Sequence, residues 1–352
     1  ALRAFYYLQL VNLFGEPYTY NKEALGVPLK LTSALSISYD KRKTVGEVYD
    51  QIVRDLDEAE KYFLMLPNEK QFLPNYRITL PAVQLLKARV NLYMNNLEEA
   101  AKYAKNVIED WDFVLYDLRS ISYDGVTFPN YVTYDNPETI WAFGKRNDLL
   151  KFTHDLMGDY GVKDHRVLIN ASDELVDNYE DEGDLRKQFY LVPEYGYTPV
   201  CYLAVSKCVF LGESIPSDDK FMLALRLSEA YLILAEATAK TDPTIALNAV
   251  NELRKKRISE EKYKDKSGLS GDELLEFVRN ERRRELCFEG HRWFDLRRYG
   301  MPSFTRVWKE GGVAAKWFTM EKEDAAYTLP ISKEVMDRNP GLVQNRLGNP
   351  KY

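Results

Sequence analysis

Alanine set at helix–helix contact positions, twice over and each time around a tight turn, is the feature that most restricts how this chain can fold. In the first instance Thr79 and Pro81 open a helix patterned by Leu86, Ala88, Val90 and Tyr93. Asn95-Asn96 turns the chain, and Leu97, Ala100, Ala104 and Val107 line the return helix. In the second, Ala230, Leu234 and Ala237 precede an Asp242-Pro243 turn, with Ala246, Ala249, Val250 and Leu253 after it. An Ala-bearing helix, a short turn and a second Ala-bearing helix is the plan of a tetratricopeptide-like (TPR) hairpin. The two hairpins are well separated in the chain and are not tandem copies.

Three further helices follow from period and capping. Leu2, Phe5, Tyr6, Leu10 and Leu13 recur at helical spacing until Gly15 and Pro17 stop them. That pattern is already running at residue 1, so further native sequence upstream is expected. Thr44 and Glu47 form a capping-box pattern ahead of Val45, Val48, Ile52, Leu56, Ala59 and Phe63. Ser270 and Glu273 repeat it for a last helix that runs to Gly290.

Four segments result. Residues 1–110 read as N-terminal TPR-like helices interrupted by a long loop at 15–43, of a length that is usually functional or disordered. Residues 111–220 are aromatic, broken by Gly and Pro, and carry strand-like runs at 139–143 and 200–205, an irregular α/β insertion. Residues 221–300 return to TPR-like helices, and 301–352 read as a loop-rich C-terminal region. The fold class is therefore mostly α, a helical-repeat scaffold carrying a loop-rich α/β insertion.

Composition excludes several functions. The net charge of −6 argues against a general basic field for duplex DNA or anionic lipid. No apolar run approaches the roughly 20 residues that span a bilayer; the best, 224–237, is broken by Arg226, Ser228, Glu229 and Glu236. The three cysteines, Cys201, Cys208 and Cys287, lack metal-ligand spacing and read as small core residues.

Dense charge in ERRRELCFEGHRWFDLRR invites an active-site reading, which its spacing opposes. Glu281, Glu285 and Glu289 lie four apart and stack on one helix face, as do Arg279 and Arg283, an arrangement that destabilises an isolated helix. Compensation must come from other elements, with Arg292, Arg297 and Arg298 beyond the Gly290 turn as the candidates. Bidentate pairs there would fix the angle between two arms, while Phe288, Trp293, Phe294 and Leu296 fill the contact. The segment reads as a structural lock. GxSxG, HExxH, Walker and GxGxxG templates do not occur in a fitting context. His154 and His165 lie among Asp155, Asp159 and Asp164 without calcium-loop or helical spacing, so neither metal nor cofactor is expected.

The residual signal is aromatic. Of 25 tyrosines, many fall in expected loops beside polar residues. Flat rings suit the apolar faces of sugars, and adjacent amides and acids can bond hydroxyls. Tyr18, Tyr20, Tyr131, Tyr134, Tyr195 and Trp317, with Asn130 as a polar neighbour, form the candidate ligand-binding set.

Several segments taken in order resemble the SusD/RagB family of Bacteroidetes outer-membrane nutrient-binding lipoproteins. These are ALRAFYYLQLVNLFGEPY, RLSEAYLILAEA with ALNAVNELRKKR, ERRRELCFEGHRWFDLRRYG, ELVDNYEDEGDLR and YTLPISKEVMDRNPGLVQN. The resemblance implies about four TPR-like helix pairs supporting a variable region, with no catalytic activity. It implies capture of a glycan, or of a peptide in RagB-like members, and delivery to a SusC-like TonB-dependent transporter. It also implies surface attachment through a lipidated cysteine upstream of this chain. Two other readings remain: a TPR scaffold docking protein tails, and a two-carboxylate glycosidase.

Overall fold

A computed structural model describes residues 1–34, 39–72, 77–121, 136–143, 171–179, 183–194, 201–203, 223–310 and 313–348. Its frame is antiparallel helices. Helix α1 (Leu2–Phe14) packs on α3 (Val45–Leu64), and α3 packs on α5 (Leu80–Tyr93), with the four-residue α2 (Tyr18–Asn21) and α4 (Asn68–Gln71) flanking. The hairpin of α5 and α6 (Leu97–Glu109) packs against a second hairpin, α9 (Leu227–Thr238) and α10 (Pro243–Lys255). Helix α11 (Gly271–Glu285) lies on α9 and α10, followed by α12 (Arg292–Arg298) and, near the end, α13 (Lys333–Arg338). Short helices α7 (Asp173–Asp177) and α8 (Leu185–Tyr190) belong to the region between the hairpins.

Alanine sits where the hairpins cross: Ala88, Ala100, Ala104, Ala230 and Ala235 are completely buried. Helix α5 is enclosed on every side, so it shows little amphipathic period, and its polar residues must be paired. Arg89 does so bidentately with Glu229 at 2.6 and 2.5 Å, and Lys87 with Asp57 and Glu60 at 2.7 and 2.5 Å. The turn to α6 needs Asn95 at φ 61°, the left-handed region that Asn enters more readily than most residues. Thr44 and Glu47 form the expected reciprocal cap of α3. Ser270 does not cap α11 with its side chain; Gly271 follows it at φ 58°, so that helix starts through a left-handed turn.

Among the described residues, six strands form three two-stranded antiparallel sheets: β1 (Thr139–Phe143) with β4 (Leu223–Arg226), β2 (Val192–Glu194) with β3 (Cys201–Leu203), and β5 (Phe304–Glu310) with β6 (Val313–Met320). The second Ala-bearing hairpin is thus led in by a strand that ends at its first helical turn. The β5–β6 ribbon occupies residues expected to be loop. Phe304 and Met320 root it in a cluster with Leu296, Met301 and Tyr327, while β6 is solvent-exposed over nearly its whole length.

The C-terminus of α1 ties both ends of the chain together. Its last carbonyls have no partners within the helix, and cations are favoured there. Leu329 N donates to Leu13 O at 2.9 Å, Arg42 Nη2 and Asn345 Nδ2 each donate to Phe14 O at 2.8 Å, and Arg297 Nη2 donates to Gly15 O. Gly15 has no space for a side chain, because a Cβ there would lie 2.9 Å from Val11 O and from Val45 Cγ2.

Candidate functional site

The charge-dense segment folds as a largely buried network. Glu281 and Glu285 are 0% exposed. Glu285 takes a bidentate pair from Arg257 at 2.9 and 3.0 Å, with Arg226 at 3.3 Å, Arg186 at 3.4 Å and the Tyr190 hydroxyl at 3.3 Å around it. Glu281 meets Arg186 at 2.6 Å, Arg284 at 2.8 Å and Arg254 at 3.1 Å. Glu289 takes Arg226 at 2.7 and 2.9 Å, and Glu138 closes the circuit by accepting from Arg226 and Arg257. Burial opposes each charge, yet opposite charges on several sides win. The Arg186, Arg226 and Arg257 guanidiniums are held well above their ordinary values, and Arg186, Arg284 and Arg254 hold the Glu281 carboxyl well below its own.

The partners differ from those expected beyond Gly290. The glutamate stripe is neutralised by α8, β4 and the end of α10 instead. Arg298 turns to Glu236 with two bonds of 2.7 Å, and Arg297 donates to the Tyr327 and Gly15 carbonyls. Arg282 does cross the turn, to Asp295 at 3.0 Å. The apolar residues of this stretch also part company. Phe294 packs on the main core, Phe288 on the cluster holding Leu118 and Cys287, and Trp293 and Leu296 on the root of the ribbon. The segment therefore fastens the region between the hairpins to the scaffold.

An open cleft of about 550 Å³ lies elsewhere, between the turn after α1, the turn after β6 and the C-terminal tail. That is the size of a small-molecule site. Its walls include Glu16, Tyr20, Leu25, Met301, Glu321, Glu323, Asp324, Gln344 and Arg346. Tyr20 stands 53% exposed at the edge, with its hydroxyl 3.4 Å from Glu323 Oε2. The Glu323 charge, followed by burial, raises the Tyr20 hydroxyl above its ordinary value, which keeps it a donor. Glu323 is placed by a left-handed backbone, φ 56°, a conformation that non-glycine residues adopt only where the surroundings enforce it. Glu16 Oε2 is shielded from solvent and accepts no hydrogen bond among the described residues.

Two of the sequence-derived ligand residues are thereby placed on an accessible surface. Tyr20 edges the cleft, and Trp317 stands 63% exposed on β6 opposite Val307. Trp317 is not among the residues lining the cleft. Tyr18 shares α2 with Tyr20 but faces inward, its ring 4.9 Å from that of Tyr49. Two residues along a helix turn a side chain by more than half a revolution, so the pair cannot share a face. Asn130, Tyr131, Tyr134 and Tyr195 lie outside the described residues, as do His154 and His165. Sequence reasoning passed over Glu16, Glu321, Glu323 and Asp324; the acidic run EKED between a strand and a turn was the available signal. Among the described residues no cluster of His, Cys, Asp and Glu could hold a metal ion, and no helix is long and apolar enough to cross a membrane.

Comparison with known proteins bears on the scaffold. The family model described as the SusD family matches residues 213–352, and one described as starch-binding, associating with outer membrane, matches residues 1–92. A SusD-like protein of Formosa agariphila, P38, is 26% identical over 84% of this chain, which spans 64% of that relative's length. A presumed sugar-binding protein of Bacteroides vulgatus superposes with a TM-score of 0.76 at 26% identity, over 98% of this chain and 75% of the other. A SusD superfamily protein of Bacteroides thetaiotaomicron gives 0.75 at 23% identity, over 98% and 76%, and at that identity shows the fold alone. With family models matching at both ends and the helix-pair fold shared throughout, this chain belongs to the SusD/RagB family.

Proposed function

We propose that this chain is a non-catalytic receptor that binds a nutrient oligosaccharide at the cell surface and passes it to a SusC-like TonB-dependent transporter. It works at the outer membrane as a surface lipoprotein, anchored through a segment upstream of residue 1. The observation that carries this reading is the match of residues 1–92 to a model described as starch-binding and associating with outer membrane. Its companion is the charged segment, whose acids and bases are consumed by one another and leave no acid–base pair for hydrolysis. The exposed aromatics Tyr20 and Trp317 support ligand contact, and with Asn130, Tyr131, Tyr134 and Tyr195 they complete the proposed binding set.

Titration calorimetry of the full chain against neutral and charged oligosaccharides and against unstructured peptides tests this. Binding of an oligosaccharide without turnover, weakened by Tyr20→Ala or Trp317→Ala, is the expected outcome. Binding of peptides with no oligosaccharide bound points to the RagB-like peptide receptor instead. Release of shortened sugars would overturn the non-catalytic reading.

A further inference from the structure

Resting on the receptor reading above, we propose that the cleft beside Tyr20 takes a cationic sugar, an oligosaccharide bearing free amino groups. The argument concerns how charge is spread over a cavity of ligand size. Glu16, Glu321, Glu323 and Asp324 face it, against Arg42 and Arg346. Arg42 has four of its five N–H donors engaged within the protein. Its guanidinium is spent on four backbone carbonyls, those of Gly26, Val343, Phe14 and Leu25, at 2.6 to 2.9 Å. Arg42 and Arg346 are the two cations of the lining, against four carboxylates, with Lys322 reaching Glu323 at 3.6 Å. The cleft is therefore anionic while the aromatic edge and Leu25, Met301 and Leu347 keep it partly apolar.

The acids are distributed along the walls. They form no metal-holding group among the described residues, which argues against a single divalent ion as the occupant. Charges strung along a wall match a ligand whose own charges are strung along a hydroxylated frame. Carboxylates accept from hydroxyl and ammonium alike, the latter more strongly, and a tyrosine ring suits the apolar face of a pyranose. Glu16 lines the same cleft and adds its carboxylate to the negative side of the charge balance.

The test compares the glucosamine tetramer with its fully N-acetylated counterpart and with maltotetraose, using calorimetry on the full chain at low and high salt. The glucosamine tetramer should bind about tenfold tighter than the acetylated one, with the advantage shrinking as salt screens the carboxylates. Glu323→Gln, at an exposed position, should weaken the glucosamine tetramer more than the acetylated one and so remove much of that advantage; Glu16→Gln should act likewise. Equal affinity for the two tetramers, or a preference for maltotetraose, overturns the charge inference and leaves the receptor reading intact. Oligolysine bound with no sugar bound overturns both.

Discussion

Arg257 and Glu285, 28 residues apart, meet as a fully buried bidentate pair, Nε to Oε2 at 2.9 Å and Nη2 to Oε1 at 3.0 Å. The same Arg257 Nη2 reaches Glu138, so one guanidinium joins α10, α11 and the approach to β1. A buried pair with this geometry adds little net stability over an apolar substitute, but breaking it by removing one partner is severe.

Glu285→Ala leaves Arg186, Arg226 and Arg257 around an uncompensated hole. The expected loss is about 3–5 kcal/mol, read by thermal or denaturant unfolding. Ligand affinity of the molecules that stay folded should be unchanged, because neither the cleft nor Trp317 touches this network. Normal stability with lost affinity would reverse the structural assignment.

Arg42 acts as a clamp without a carboxylate. Arg42→Met keeps the aliphatic stem, removes the donor to the carbonyls of Leu25, Gly26 and Val343, and leaves Phe14 O to Asn345. At about 1–3 kcal/mol for an unsatisfied buried group, stability should fall measurably. Hydrogen exchange should rise first in the tail around Val343 and at the end of α1. Uniform exchange across the chain would argue against a local clamp.

Acid should unfold the protein in two stages whose signs follow from the shifted groups. His291 is held well below its ordinary value by burial and by Arg89 and Arg282, and its Nδ1 accepts from Arg282 Nη2 at 3.1 Å. The unfolded chain therefore takes up a proton near pH 6.5 that the fold refuses, and stability declines below that pH. Glu236 is buried, which opposes its charge, yet Arg298, with Arg282 and Arg279, holds its carboxyl down to about 2. Its contribution is complete above the ordinary value of 4.5 and disappears as pH falls toward 2. Denaturant midpoints followed from pH 8 to 3 check both. His291→Gln should flatten the first decline and leave the second.

Trp317→Ala removes a ring that is 63% exposed, so stability should move by no more than about 0.5 kcal/mol. Affinity for the bound oligosaccharide should fall several-fold. A large stability loss with unchanged binding would make the ring a structural part of the ribbon.

Local order was legible in the sequence because its causes are local. The Thr44–Glu47 cap, the Asn95 turn and the buried alanines at the hairpin crossings all act within a few residues or through one helical period. The ribbon at 304–320 escaped that reading for a physical reason. Its faces are largely open to solvent, so no alternation of apolar and polar residues marks it as a strand pair.

The stripe of Glu281, Glu285 and Glu289 shows the division most sharply. Periodicity alone determined that Glu281 and Glu285 share a helix face and need outside compensation, whereas the helix expected to run to Gly290 ends at Glu285 and leaves Glu289 in the turn beyond it. Which arginines supply it was decided by the tertiary structure, which brings Arg186 across 95 residues to Glu281 and Arg226 across 59 residues to Glu285. Electrostatic pairing has no sequence period, so only the folded path of the chain selects the partner. The cleft follows the same rule. Tyr20 could be singled out as an aromatic beside polar residues, but its meeting with Glu323, 303 positions along the chain, exists only once α1, the ribbon and the tail close on one another.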